Sequence, residues 1–540
     1  MAPRRRAQPR LGARLIRAPA LARLADEAFD VLVIGGGATG LGAAVDAVTR
    51  GYRTALIEAE DFAAATSSRS TKLIHGGVRY LQQGHVGLVR EALRERAALR
   101  RDAPHLVDDL AFVVPGCNAF EVAYYTAGLA AYDLLAGGSG FPRSRVVGAK
   151  RARALIPALA RERLRGAVVY HDGQFDDARM AIALARTAVD HGAAVANYVR
   201  ATGFLRDANG RVAGVTAVDR ESGAIVEVRA RAVINATGIY ADVVRALDEP
   251  FAAPVLAHSR GSHVVVRAEA LGPATAALLV PKTPDGRVLF AIPWHDHVVI
   301  GTTDVPAAAP ELDPQATGDE IAYLLATVNR YLVTPLSDRD ILATFAGLRP
   351  LISRGAASTA KLSREHAVDV SRSGLVTIAG GKWTTYRTMA RDAVDMASRT
   401  AGLTLSPSRT LHLPLHGAQA DAPADDTLRG YGSDAAQLQS LIATDASLGE
   451  LLDPRLPYAG AHVVYGVRAE MARTVEDVLA RRTRALFLNA DAARASAPRV
   501  ASLIAAERGR DATWVSQELT AFEALAVRRL PRRPPETAGT

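Results

Sequence analysis

Phe29-Asp-Val-Leu-Val-Ile-Gly-Gly-Gly-Ala-Thr-Gly40 is the stretch that decides the fold. Its first half, Phe29 to Ile34, is a largely apolar run of strand length, the pattern of a strand covered on both faces in a parallel sheet. Leu41 to Arg50 is Ala-rich and reads as a helix, and Tyr52-Arg-Thr-Ala-Leu-Ile-Glu58 reads as a second strand ending in an acid. Together they form a complete βαβ dinucleotide unit. Gly35 allows the tight turn, Gly37 lets the backbone approach a pyrophosphate, and Gly40 permits close helix–strand packing. Ala38 and Thr39, between Gly37 and Gly40, are expected to bind the cofactor, and the free N–H groups of the helix N-terminus favour an anion. Glu58, 18 residues beyond Gly40, is placed to accept a ribose hydroxyl.

Two later segments return to the same nucleotide. Ala230-Arg-Ala-Val-Ile-Asn-Ala-Thr-Gly238 is a strand running into Ala-Thr-Gly, and Ser373-Gly-Leu-Val-Thr-Ile-Ala-Gly-Gly-Lys382 is a strand ending in the pair Gly380-Gly381. The second opens a helix at Thr384, and a helix N-terminus there suits negative charge on the N1–C2=O edge of a flavin. Nucleotide segments at 31–58, 231–238 and 375–390 imply an inserted substrate domain, a layout that favours FAD over NAD.

Composition closes off other classes. The 540 residues are 49% hydrophobic and 22% charged, which describes a globular chain of two or three domains. No run of 18 uninterrupted apolar residues is present, which argues against a transmembrane helix. Cys117 is the single cysteine, so an intrachain disulfide and a cysteine-based metal site are impossible, and no metal is expected. It follows Pro115-Gly116 without a nucleophile signature and reads as structural.

The net charge is +9, but residues 1–24 contribute +7 and residues 527–540 contribute +3, which leaves 25–526 at −1. A basic face for nucleic acid is therefore unsupported. Residues 1–26 are expected to be a basic, disordered tail, with attraction to anionic lipid as the functional alternative, and residues 527–540 a basic tail. Of 65 basic residues only five are lysines, Lys72, Lys150, Lys282, Lys361 and Lys382. A lysine kept in so Arg-biased a chain marks a place where a compact ammonium is needed.

Ala65-Thr-Ser-Ser-Arg-Ser-Thr-Lys-Leu-Ile-His-Gly-Gly-Val-Arg-Tyr80 closely resembles the FAD-dependent glycerol-3-phosphate dehydrogenases. Gly261-Ser-His263, Ile292-Pro-Trp294, Gly301-Thr-Thr-Asp304, Gly347-Leu-Arg-Pro350, Gly380-Gly-Lys-Trp-Thr-Thr-Tyr-Arg387 and Ala472–Arg484 follow in that family's order, so the resemblance spans about 28–525. It implies an α/β fold: a Rossmann-type FAD domain of the glutathione-reductase and D-amino-acid-oxidase kind, an inserted antiparallel substrate domain and an all-α C-terminal domain. The expected divisions are 27–408 for the oxidoreductase region, with FAD-domain parts near 27–110, 165–245 and 345–408, and 409–526 for the helices.

The resemblance further implies oxidation of sn-glycerol 3-phosphate to dihydroxyacetone phosphate, with a hydride passing from C2 to FAD N5 and a quinone reoxidising the flavin. The enzyme would sit peripherally on the cytoplasmic face of the cell membrane, with an anionic membrane surface as partner, and a homodimer stays open. Arg79, Tyr80, Arg349, Arg364 and Lys382 are the expected substrate residues. Thr66, Ser67, Ser68, Lys72, Leu73 and Gly76 are expected along the FAD track. Arg349, His75, His263 and Lys382 are the catalytic candidates, with the general base left open between the histidines, water and the substrate phosphate. The family commonly has Lys where this chain has Arg260, a change of reach and geometry. An oxidase using O₂ on the same substrate, an amino-acid or sarcosine oxidase, and a non-catalytic flavin redox sensor are the alternatives.

Overall fold

The strand Ala28–Ile34 lies inside a parallel layer, paired with Ile225–Asn235 on one side and Thr54–Ile57 on the other. Val31, Leu32 and Val33 are wholly buried, as a strand covered on both faces requires. The computed structural model describes residues 14–531, apart from 83, 139, 163, 284–285, 354–365, 420–422 and 424. The nucleotide sheet runs His366–Val370, Val376–Gly380, Ile225–Asn235, Ala28–Ile34, Thr54–Ile57, Ala194–Ala196, with an antiparallel extension by Val212–Asp219 and Val199–Arg206. At the first turn Gly35 has φ +111°, and a Cβ on Gly40 would fall 1.9 Å from the Gly35 carbonyl oxygen. The turn and the helix Ala38–Thr49 that follows can exist only with these two glycines in place.

A second sheet of ten strands carries the inserted part, with Leu256–Arg267 pairing to His297–Gly301, Val305–Ala307 and Ile341–Ile352. Its pairings are antiparallel except that of Ala277–Val280 with Val107–Gly116. The expected segment limits shift here. Val107–Gly116, Gly166–Phe175 and Ile341–Ile352 all pair in this second sheet, so the chain returns to the nucleotide layer at the helix Asp177–Asp190 and at His366, not at 165 and 345. A passage of the chain from one layer to the other carries no sequence mark.

The C-terminal region is helical, with Ala435–Thr444, Gly460–Ala469, Ala490–Arg508 and Ala512–Val527 as its longer helices. Its core joins Val475, Leu479, Phe487 and Phe522 to Trp294 and Phe345 of the second sheet. Buried charge stitches it to the nucleotide domain: Arg481 and Arg482 both bind Asp61, and His416 bridges Asp190 and Asp434 at 2.6 and 2.7 Å.

Both expected tails are shorter than the composition implied. Arg17–Asp26 is a helix that buries Ala20 and Leu24, and the Arg17 guanidinium ion-pairs with Asp219 and donates to the Asn197 carbonyl at 3.1 Å. At the other end Arg529 is buried and ion-paired with Asp313. A paired, buried arginine is a structural cation, so these two are withdrawn from any lipid-facing charge. Residues 1–13 and 532–540 lie outside the described residues.

Candidate functional site

Two cavities flank the contact between Lys382, which lines the first, and Tyr80, which lines the second. The first, of about 440 Å³, opens over the carboxyl ends of the parallel strands, where open α/β sheets hold their ligands. Gly35, Gly37, Ala38 and Thr39 line it at the helix N-terminus, Glu58 and Gly238 at the sheet, Thr66 and Ser67 at the following loop. Gly380, Gly381 and Lys382 close the far side. Ser67 ties the two ends together: its hydroxyl accepts from Ala38 N at 3.0 Å and its carbonyl from Trp383 Nε1 at 2.8 Å. The half-buried Glu58 carboxylate accepts from Gly36 N at 2.5 Å and Glu60 N at 2.8 Å. Removal from water pushes its carboxyl up to about 7, with the two N–H donors pulling the other way. A helix N-terminus, a backbone turn lined by Gly35 and Gly37, and a carboxylate at the end of the second strand fit FAD.

The remaining residues expected on that track stand behind the wall. Gly40 packs beneath the turn, Leu73 borders the second cavity, and Gly76 N donates to Tyr132 Oη at 2.7 Å. Thr384 Oγ1 donates to the His75 carbonyl at 3.3 Å. Lys72 is the clearest departure. Its ammonium is wholly buried, 2.7 Å from Asp177, and it donates to the Ser68 carbonyl at 2.8 Å, the same oxygen that Arg484 Nη2 reaches at 2.7 Å. Burial, reinforced by Arg484, lowers it to about 7 against the pull of Asp177. A buried ammonium needs a carboxylate, and the one it has found is structural. Two cations thus converge on one carbonyl and fix the loop from which Ser67 reaches the dinucleotide turn.

The second cavity, of about 380 Å³, is lined by His75, Tyr80 and Arg349 from the expected set, and by Arg287, Thr302 and Thr303 from outside it. Arg349 Nη2 donates to Thr302 Oγ1 and the Thr303 carbonyl, both at 3.0 Å, and its Nη1 stands 3.4 Å from Asp304. Lys382 Nζ lies 3.9 Å from the centroid of the Tyr80 ring, joining the two cavities. His263 does not border the second cavity. It is stacked on Phe345 at 4.5 Å, with Nε2 3.0 Å from Thr71 Oγ1, and burial beside Lys72 and Arg349 holds it well below the usual histidine range. Arg260 pairs with Glu320 at 3.0 Å, so the change from the family's Lys is absorbed away from the cavity. Arg79 belongs to the helix Val78–Gln82, but its side chain, and Arg364 entirely, lie outside the described residues. Cys117 is exposed.

Sequence reasoning missed Arg287 and the role of Thr302 and Thr303. The threonines were visible in Gly301-Thr-Thr-Asp304, a motif quoted without a function. Arg287 had no signal at all, being one arginine in a loop.

The chain matches the family model of FAD dependent oxidoreductases over residues 30–387 and that of the C-terminal domain of alpha-glycerophosphate oxidase over 376–514. It is 42% identical to the mitochondrial glycerol-3-phosphate dehydrogenase of Homo sapiens over 521 residues, covering 90% of this chain and 71% of the relative. The corresponding protein of Arabidopsis thaliana is 39% identical, with 92% and 86% covered. Among solved structures, the glycerol-3-phosphate dehydrogenase of Bacillus halodurans complexed with FAD superposes with a TM-score of 0.74 at 28% identity, covering 95% of this chain and 97% of that one. The chain belongs to the FAD-dependent glycerol-3-phosphate dehydrogenase family.

Proposed function

We propose that this enzyme oxidises the C2 alcohol of sn-glycerol 3-phosphate to the ketone of dihydroxyacetone phosphate in the second cavity. The observation that carries the reading is the cationic pole of that cavity, Arg349 and Arg287, with Lys382 at its junction with the dinucleotide cavity. Arginine forks suit a phosphate dianion, and nothing in an amino-acid substrate calls for several of them. FAD, the cofactor, supplies the two-electron acceptor for the hydride that leaves C2. The hydroxyl proton leaves separately, and His75 is the histidine on the cavity wall that takes it. Arg349, locked by the threonines and Asp304, orients the substrate, while the Lys382 ammonium stabilises negative charge developing on the substrate oxygen.

The deciding experiment is anaerobic. Adding sn-glycerol 3-phosphate to the holoenzyme bleaches the flavin band near ~450 nm, a property of the cofactor, whereas proline and glycine leave it unchanged. The opposite pattern would assign the chain to amino-acid oxidation.

For the second half-reaction, a quinone at an anionic membrane surface is the acceptor this reading favours. Among the described residues no helix is long and apolar enough to cross a membrane. The helix Ala119–Ala136 is apolar yet buries only Leu129 and Tyr132, leaving Phe120 79% and Leu134 83% exposed. Arg143, Arg145, Lys150 and Arg151 follow it, all exposed, with no acid between 134 and 161. An apolar face beside basic residues suits an anionic bilayer, here the cytoplasmic face of the cell membrane. Tyr124 and Tyr125 of the same helix line the second cavity, so the lipid-facing element is also a wall of the reaction site. Anaerobic turnover with a quinone analogue separates this from an O₂ oxidase.

A further inference from the structure

Asp304 is a carboxylate where an anionic substrate should meet only cations. Its side chain is 7% exposed, accepts from the Ser259 hydroxyl, ion-pairs with Arg287 and lies 3.4 Å from Arg349 Nη1. Beside a phosphate dianion it costs binding energy through like-charge repulsion, so its presence needs a reason. That reason is the distance between the two guanidiniums. Both line the second cavity, both lean on one carboxylate, and without it their like charges would drive them apart. Arg349 is held on its other side by Thr302 and Thr303, and the Arg287 backbone N–H by Thr283 Oγ1 at 2.9 Å. The cluster keeps a net charge of one positive unit, with two planar forks fixed in one wall.

We propose that Arg287 is a substrate-binding residue that shares the phosphate with Arg349 and sets the specificity for a phosphorylated alcohol, and that Asp304 is a positioning residue that holds the pair. Paired guanidiniums match the several acceptor oxygens of a phosphate group, which the alcohol end of the substrate does not offer. The inference rests on the functional reading above and adds the residue that reads the phosphate.

The test uses the full-length holoenzyme and two ligands, sn-glycerol 3-phosphate and inorganic phosphate. Arg287→Gln raises KM for the substrate ~10–100-fold while kcat falls far less, and it raises the inhibition constant of inorganic phosphate in parallel, the signature of lost binding. Arg287→Lys recovers part of both. Asp304→Asn, which removes the charge the two forks share, lowers kcat/KM and keeps the FAD content. The double variant Arg287→Gln, Asp304→Asn removes the unbalanced carboxylate and guards against misfolding in the single one. Unchanged KM and unchanged phosphate inhibition in Arg287→Gln, or a fall in kcat alone, would reduce Arg287 to a structural ion pair and overturn the proposal. Should the substrate fail to bleach the wild-type flavin, the functional reading falls first. Arg287 is then judged by inorganic phosphate alone, through a thermal shift present in wild type and lost in Arg287→Gln; an equal shift in both overturns the inference.

Discussion

The two cavities are built by opposite means. The first is made of backbone: a helix N-terminus, a turn that only glycine can take and the ends of parallel strands. The second is made of side chains that arrive from Tyr80, Arg287, Thr302 and Arg349, on four separate stretches of chain. A backbone site tolerates almost no change in the residues that shape it and is indifferent to most side chains around it. A side-chain site fails group by group. The same contrast separates two of the five lysines, since Lys382 stands at the junction of the cavities and Lys72 lies sealed behind the wall against Asp177.

Gly40→Ala is the severest way to break the comparison. Its Cβ would fall 1.9 Å from a backbone oxygen, a clash that no rotamer relieves. Its cost exceeds the ~1–3 kcal/mol of ordinary overpacking. Purified protein is expected to carry essentially no FAD, measured as flavin absorbance per protein. Wild-type flavin content in this variant would show that the turn is not the rigid element described.

Lys72→Met ranks next. Removing one partner of a buried ion pair costs ~3 kcal/mol or more, and among the described residues Asp177 keeps the Ser70 hydrogen bonds and the ion pair with Arg484. The melting temperature falls, while the flavin spectrum and KM of the folded fraction stay as in wild type. A displaced flavin spectrum at unchanged melting temperature would return Lys72 to the cofactor track and erase the distinction between the lysines.

This contrast also explains what was legible in the sequence. Gly35, Gly37 and Gly40 announce the first cavity because a turn fixes their spacing within six residues. Arg349 and Lys382 could be placed only through motifs, since one arginine among 60 carries no local mark. Lysine scarcity singled out Lys72 and Lys382 alike, but whether an ammonium faces a ligand or an aspartate 105 residues away is decided by tertiary packing. Arg17 hid in the same way. Its Arg-rich surroundings read as a tail, and its partner Asp219 lies 202 residues on.

Glu58 gives the smallest effect and the finest test, because it sets a titratable carboxylate at the end of the second strand in a site otherwise built largely of backbone. With no ligand hydroxyl to accept from, burial raises its carboxyl from the ordinary 4.5 to about 7. A raised acid in the folded state contributes stability that is present below pH 4.5 and lost as pH rises through 7, so the apoprotein melts at lower temperature at pH 8 than at pH 5.5. A ribose hydroxyl donating to Glu58 favours its charged form and brings the value back down, so binding releases a proton below pH 7. FAD affinity for the apoprotein is therefore expected to rise several-fold between pH 6 and pH 8 and then level off, read by quenching of flavin fluorescence. Glu58→Gln cannot titrate, so its affinity is weaker above pH 7 and flat across the range. Equal pH dependence in both proteins would place the ribose elsewhere and leave the first cavity a site of backbone alone.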